Sequence, residues 1–196
     1  MGCAMSVGVK KHHLSTNPHK MDQDTSDIGD NSIINAAQKK LIKKTWKVVS
    51  QNQQSLAQQI FLHIFERSPQ VQNVFRFQDF SKEELIRNPR FQNHASQFIQ
   101  VIETAILSLD NLAQATPVLL NLGRFHIRQD GFSTDYLDIF ILSIMECFKA
   151  ESQAHLNNDA KEAWIILLNF VINKMKEGYL AANQHHDKQA KEQLDS

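Results

Sequence analysis

The stretch that decides the fold runs from Phe91 to His126 and reads FQNHASQFIQVIETAILSLDNLAQATPVLLNLGRFH. Apolar residues recur every three or four positions after its first histidine, and residues at that spacing share one face of an α-helix. The members of this face are His94, Phe98, Val101, Ile102 and Ala105. The first histidine of the stretch therefore lies on an otherwise apolar helical face.

The second histidine, His126, ends another apolar face. Leu122 precedes it by one helical turn, and Val118 and Leu119 precede it by two. The segment Ser108–Leu112 between the two faces is typical of a turn, so the two helices can fold back and face each other. The sequence thus predicts two inward-pointing imidazoles beside one pocket.

Two buried imidazoles need partners for their nitrogen atoms, because an unpaired buried polar group costs about 1–3 kcal/mol. A metal ion inside a large apolar ring would supply such a partner, and histidine is the usual axial ligand of haem iron. A lone histidine on an apolar helix is more often a core residue whose hydrogen bonds are satisfied. The ligand interpretation therefore depends on both histidines together and on the rest of the chain.

The composition indicates one mainly helical domain with no electrostatic preference for nucleic acid. The chain has 196 residues, 21 basic and 21 acidic side chains, and few glycines and prolines. Cys3 and Cys147 are too few for a disulfide framework and lack the spacing of zinc ligands, which favours a reducing, intracellular setting. No apolar run approaches the roughly 20 residues that span a bilayer.

Residues 1–34 are polar and lack helical periodicity, which predicts a flexible N-terminal extension. Its first residues, MGCAMS, fit the pattern for N-myristoylation at Gly2, and Cys3 offers a site for palmitoylation. Two acyl chains anchor a protein stably, whereas one binds a membrane only marginally. We expect the chain at the cytoplasmic face of a membrane, in particular the plasma membrane, if it is acylated, and in the cytoplasm otherwise. The alternative is a chance match to a short pattern.

The rest of the chain predicts more helices on both sides of the central stretch. These helices are expected over 36–50, from Gln54, from Pro69 after an N-cap at Ser68, after the capping box Ser81–Glu84, from Thr134, and from a cap at Asn157 to Gly178. The folded domain is expected to span 35–182, followed by a polar C-terminal tail at 183–196.

These features resemble the globin family, in particular invertebrate and nematode globins and vertebrate cytoglobin. Asn93–Ser96 and Leu122–His126 are similar to the distal and proximal motifs of those globins, and Trp164 lies where cytoglobin has a tryptophan in its last helix. Three further positions match in order: Trp46, Pro69 and Phe75. The resemblance covers 35–182 and implies an all-α globin fold, a three-over-three sandwich of about eight helices around a haem pocket.

The resemblance implies haem b, bound without a covalent link because the chain has no Cys-x-x-Cys-His motif. His126 would be the proximal iron ligand, oriented by the backbone carbonyl of Leu122. His94 would lie on the distal side, where it either donates a hydrogen bond to bound O2 or binds the iron as a sixth ligand. The implied cofactor contacts are Phe75, His94, Phe98, Leu122, His126, Phe132, Leu137 and Phe140. The implied distal pocket consists of Phe61, Phe75, His94 and Phe98.

Three classes of function follow from this interpretation. One is binding of O2 or another diatomic gas, for sensing or redox signalling with an unidentified partner; a membrane anchor disfavours bulk oxygen transport. Another is redox work by a bis-histidine haem, meaning electron transfer, peroxidase-like turnover or nitric oxide dioxygenation. The third is a haem-free interaction module, which both histidines and Phe75 argue against. The sequence leaves enzymatic activity open and favours a ligand-binding protein.

Overall fold

The computed structural model describes residues 33–152 and 155–194, with side chains as far as residue 184. Within these ranges the chain forms eight α-helices and short 3₁₀ turns, and contains no strand. The α-helices are α1 (Ala36–Val49), α2 (Gln53–Arg67), α3 (Pro69–Val74), α4 (Lys82–Arg87), α5 (Pro89–Leu107), α6 (Thr116–His126), α7 (Tyr136–Glu151) and α8 (Asn158–Leu194). The described residues therefore confirm the prediction of an all-α chain.

Polar caps set the starts of several helices. Ser81 and Glu84 form the predicted capping box of α4, each side chain bonding the other residue's backbone N–H. The Asn88 side chain accepts hydrogen bonds from the N–H groups of Arg90 and Phe91, which fixes the start of α5 at Pro89. The N-cap predicted at Ser68 is confirmed in its position but not in its side-chain bond. Ser68 stands at the N-cap position of α3, but its side chain makes no capping bond and instead contacts that of Gln70.

The helices cross in two layers around a shared core. Helix α2 packs against α5 and α7, while α1 and α6 both pack against α8. Trp46, Phe148 and Trp164 pack in one aromatic cluster, with ring centroids of the closest pair, Phe148 and Trp164, 4.8 Å apart. This cluster stabilises the packing of α1, α7 and α8 on one another, and the central stretch packs on these helices.

Helices α6 and α8 approach each other at two glycines. A Cβ atom on Gly123 of α6 would lie 1.9 Å from the carbonyl oxygen of Met175, and one on Gly178 of α8 would lie 2.0 Å from that of Leu120. Both contacts are with backbone, which cannot move aside as a flexible side chain could. The helix that ends in His126 is therefore held directly against the backbone of α8.

The structure corrects two further predictions. Helix α8 does not end at Gly178 but continues to Leu194, so the polar tail expected at 183–196 is helical through that residue. Val118 does not share the buried face of α6, since it is 47% exposed whereas Leu119 is fully buried.

Gly2, Cys3 and the predicted extension lie outside the described residues. Among the residues that are described, no helix is both long and apolar enough to cross a membrane.

Candidate functional site

A cavity of about 540 Å³ lies between the two halves of the central stretch. Residues of α3, α5, α6, α7 and α8 line it, together with the loops that follow α3 and α6. All eight residues to which the sequence assigned cofactor contact lie around this one cavity: Phe75, His94, Phe98, Leu122, His126, Phe132, Leu137 and Phe140. The fold therefore brings both histidines to the same space, as their apolar faces predict.

His126 is oriented by its own helix. Its Nδ1 lies 2.7 Å from the carbonyl oxygen of Leu122, one turn earlier. Because a carbonyl oxygen only accepts hydrogen bonds, Nδ1 carries the proton, and Nε2 of the neutral ring keeps a free lone pair. The ring of Phe132 lies beside the imidazole, with 4.8 Å between the centroids. His126 is therefore a preoriented donor of one nitrogen lone pair.

His94 packs against two aromatic rings. It stands edge-on to Phe75 and Phe61, at centroid distances of 4.7 and 5.2 Å. Burial in this apolar setting, together with the positive charge that His126 can carry, lowers the pKa of His94 from 6.5 to about 4. The imidazole of His94 is therefore neutral at physiological pH and can use a lone pair or an N–H group in the cavity.

Phe61 occupies a different place from the one that its assignment to the distal pocket suggests. Its ring is 1% exposed and is not among the side chains that line the cavity. It packs behind them, edge-on to Phe75, Phe98 and Phe140 at 5.5–5.8 Å. Phe61 thus supports the wall from behind. Phe140, to which the sequence assigned cofactor contact, belongs to this group of rings, with its centroid 5.4 Å from that of Phe98.

Several residues of the site carry no signal in the sequence. The side-chain amide of Gln129 donates to the carbonyl oxygen of Val74 at 2.5 Å, joining the loop after His126 to the residue before Phe75. The Tyr179 ring lies 5.3 Å from that of Phe132, and its hydroxyl group donates to the Phe132 carbonyl oxygen. Both contacts join residues 47 or more positions apart, which no local pattern predicts.

The charged side chains around the cavity are few. Arg90 is the one lysine, arginine, aspartate or glutamate among the described residues that line it. No set of three or more His, Cys, Asp or Glu side chains within 33–152 and 155–194 could hold a metal ion by itself. Cys147 is a buried free thiol whose pKa is raised to about 12 by burial and by nearby carboxylates, so it is a poor metal ligand and nucleophile.

Comparison with known proteins identifies the family. The model of the family described as Globin matches residues 58–175, which is more than half of the chain and includes the whole central stretch. The chain belongs to the globin family. The predicted globin fold, with its paired histidine helices, is thereby confirmed.

This globin is similar to several characterised proteins along most of their length. Neuroglobin of Danio rerio is 24% identical over 149 residues, which are 75% of this chain and 93% of neuroglobin. A hexacoordinated haem protein from an anhydrobiotic tardigrade superposes with a TM-score of 0.71 at 21% identity, over 76% of this chain and 96% of that one. The hexa-coordinate haemoglobin of Drosophila melanogaster gives a TM-score of 0.66 at 26% identity, over 72% and 93% of the two chains.

Proposed function

We propose that this globin binds haem b in the cavity between His94 and His126. The residues fit the group in three respects. The lining is mostly apolar, as a porphyrin ring requires; Arg90 offers a cation for its carboxylates; and the two imidazoles offer nitrogen ligands for its iron. Two imidazoles alone do not complete a metal site, whereas a porphyrin supplies the remaining donors. The pair of imidazoles on one apolar cavity is the observation that carries the proposal.

When bound, haem iron supplies the chemistry of the site, since it accepts axial nitrogen and diatomic gas ligands and changes between its ferrous and ferric states. His126 would be the proximal ligand. Its hydrogen bond to the Leu122 carbonyl holds the ring orientation and increases the electron density on Nε2. The sequence has Phe125 directly before His126, so no hydroxyl group of that residue assists in holding the ring.

We infer that the principal function is recognition of O2 or another diatomic gas for sensing or redox signalling. On the distal side, neutral His94 offers an N–H donor to a ligand in the cavity, while Phe98 and Phe75 exclude water. Phe61 has no hydroxyl group that could add a second donor, which argues against extremely tight oxygen binding. An O2 titration of the ferrous protein tests this function. Reversible uptake supports it, and immediate oxidation without a stable complex contradicts it.

A second candidate is redox work by a bis-histidine haem, such as electron transfer, peroxidase-like turnover or nitric oxide dioxygenation. The packing of His94 against Phe61 and Phe75 favours it, because these rings hold the imidazole at the cavity wall. The similarity to hexa-coordinate haemoglobin of Drosophila melanogaster adds support. The absorption spectrum of the ferrous protein separates the candidates. Sharply split visible bands of a low-spin iron support bis-histidine ligation, and a high-spin five-coordinate spectrum supports an open gas-binding site.

We also propose that this globin is acylated at Gly2 and Cys3 and thereby located at the cytoplasmic face of the plasma membrane. The MGCAMS sequence supports this, since it presents a myristoylation pattern and an adjacent thiol. Incorporation of labelled myristate into the chain in eukaryotic cells tests it, with Gly2→Ala as the control. Equal labelling of both chains, or labelling of neither, would contradict the proposal.

A further inference from the structure

Helix α1 concentrates positive charge on one side of a chain whose formal net charge is zero. It holds five of the 21 basic residues, all of them lysines, and has no acidic residue. Lys40, Lys43, Lys44 and Lys47 follow the spacing i, i+3, i+4 and i+7, which places them in a row along one face. All four are exposed. We call these four side chains the lysine row.

The lysine row is weakly compensated. Asp110 lies 3.6 Å from both Lys39 and Lys43, and its carboxylate is 76% exposed. Among the described residues, no carboxylate lies within ion-pair distance of Lys40, Lys44 or Lys47. Like charges at these spacings repel one another within a helix, so the row costs stability unless an anionic surface faces it.

The row cannot turn towards the interior, because the opposite face of α1 is committed to the core. Ile42, Thr45 and Val49 are buried there, and Trp46 packs on Trp164. Helix α1 also contributes none of the residues that line the cavity. A surface that contacts the lysine row would therefore leave the cavity lining uncovered.

We propose that the lysine row binds the surface of an anionic phospholipid bilayer. Each lysine near such a surface adds attraction to the lipid phosphates and carboxylates, and a row of four acts together. The chemistry favours a bilayer over an acidic protein, because α1 has no exposed large apolar side chain and lysine is depleted in protein interfaces, whose affinity comes from aromatic and arginine anchors. In the sequence, the acylation pattern and Lys10, Lys11 and Lys20 precede α1 and favour the same surface.

The experiment uses the full-length chain with Gly2→Ala, which cannot be myristoylated, and sedimentation with vesicles of phosphatidylcholine alone or mixed with phosphatidylserine. The variant K40Q/K44Q/K47Q removes the unpaired part of the row. The control R87Q/K149Q/K161Q removes the same net charge from other helices. We expect the first variant to weaken binding to the mixed vesicles about 100-fold and the control less than about threefold, because its three charges lie outside the lysine row.

One variant should strengthen binding, which loss of folding cannot imitate. Asp110→Asn removes the carboxylate beside Lys39 and Lys43, and we expect tighter binding to the mixed vesicles and no binding to phosphatidylcholine alone. Equal losses in the lysine-row and control variants would overturn the proposal. Binding to soluble polyglutamate but not to the mixed vesicles would overturn it in favour of an acidic protein. Since neither acylation nor haem takes part, this outcome is independent of the functions proposed above.

Discussion

The imidazole of His94 stands edge-on to the ring of Phe75, with 4.7 Å between their centroids, and both side chains line the same cavity. Phe61 packs against both of these rings from behind the wall, with its centroid 5.2 Å from that of His94 and 5.8 Å from that of Phe75. The distal histidine is therefore held by aromatic packing, and within the described part of the chain no other side chain forms a hydrogen bond with its imidazole.

Replacing Phe75 with alanine should weaken retention of the cofactor. The variant removes a ring that both contacts His94 and lines the cavity, so packing on the cofactor is lost and water enters. We expect hemin to dissociate about tenfold faster or more, measured by its transfer to an excess of apomyoglobin. Phe80→Ala is the matched control, because Phe80 is 38% exposed and does not line the cavity. Equal rates for the two variants would show that Phe75 has no special role.

The hemin-free protein should lose stability as the pH falls through the range from 6.5 to 4. Burial, with the charge of His126, lowers the pKa of folded His94 to about 4, while the unfolded chain takes up this proton near 6.5. The unfolded state therefore binds more protons in this range, and the free energy of unfolding falls by up to about 3 kcal/mol as the pH drops. Urea unfolding at several pH values measures it.

His94→Leu should remove that part of the pH dependence, because leucine does not titrate. Half-buried His63 provides the control, and His63→Gln should keep the pH dependence of the free energy of unfolding seen in the native chain. If the free energy of unfolding depended on pH in the same way in all three proteins, the acid sensitivity would belong to other groups.

Gly178→Ala should destabilise the fold and disturb His126. The added methyl group would lie 2.0 Å from the Leu120 carbonyl oxygen, so α6 must move away from α8. We expect a loss of about 3 kcal/mol in the free energy of unfolding and an altered absorption spectrum of the hemin complex, since α6 carries His126. Asn173→Ala, on the exposed face of the same helix, should leave both quantities close to those of the native chain. Native stability in Gly178→Ala would contradict the close contact.

The same glycine explains why the end of α8 could not be predicted. A glycine after an apolar helical pattern is typical of a C-cap, and the sequence around Gly178 is consistent with a C-cap. The structure uses the missing side chain for the approach of α6 instead, and Gly131 is the one glycine among the described residues with a positive φ. Which use applies depends on a second helix more than 50 residues away, so local sequence does not decide it.

Local chemistry did predict the parts of the site that depend on one helix. The Leu122 carbonyl is one turn before His126, so its hydrogen bond follows from helix geometry alone. The capping box at Ser81 and the turn at Ser108–Leu112 are also local. By contrast, the place of Phe61 behind the wall, the exposure of Val118 and the bond from Gln129 to Val74 all depend on how helices cross.

The central claim is that His126 binds the iron of a haem held in this cavity. The most direct measurement is a hemin titration of the native chain and of His126→Ala, followed through the Soret band and the visible bands of the reduced complex. We predict one hemin per native chain with a sharp Soret band, and a band that is weak or shifted in His126→Ala. A variant that bound hemin with a Soret band of native position and strength would contradict the account.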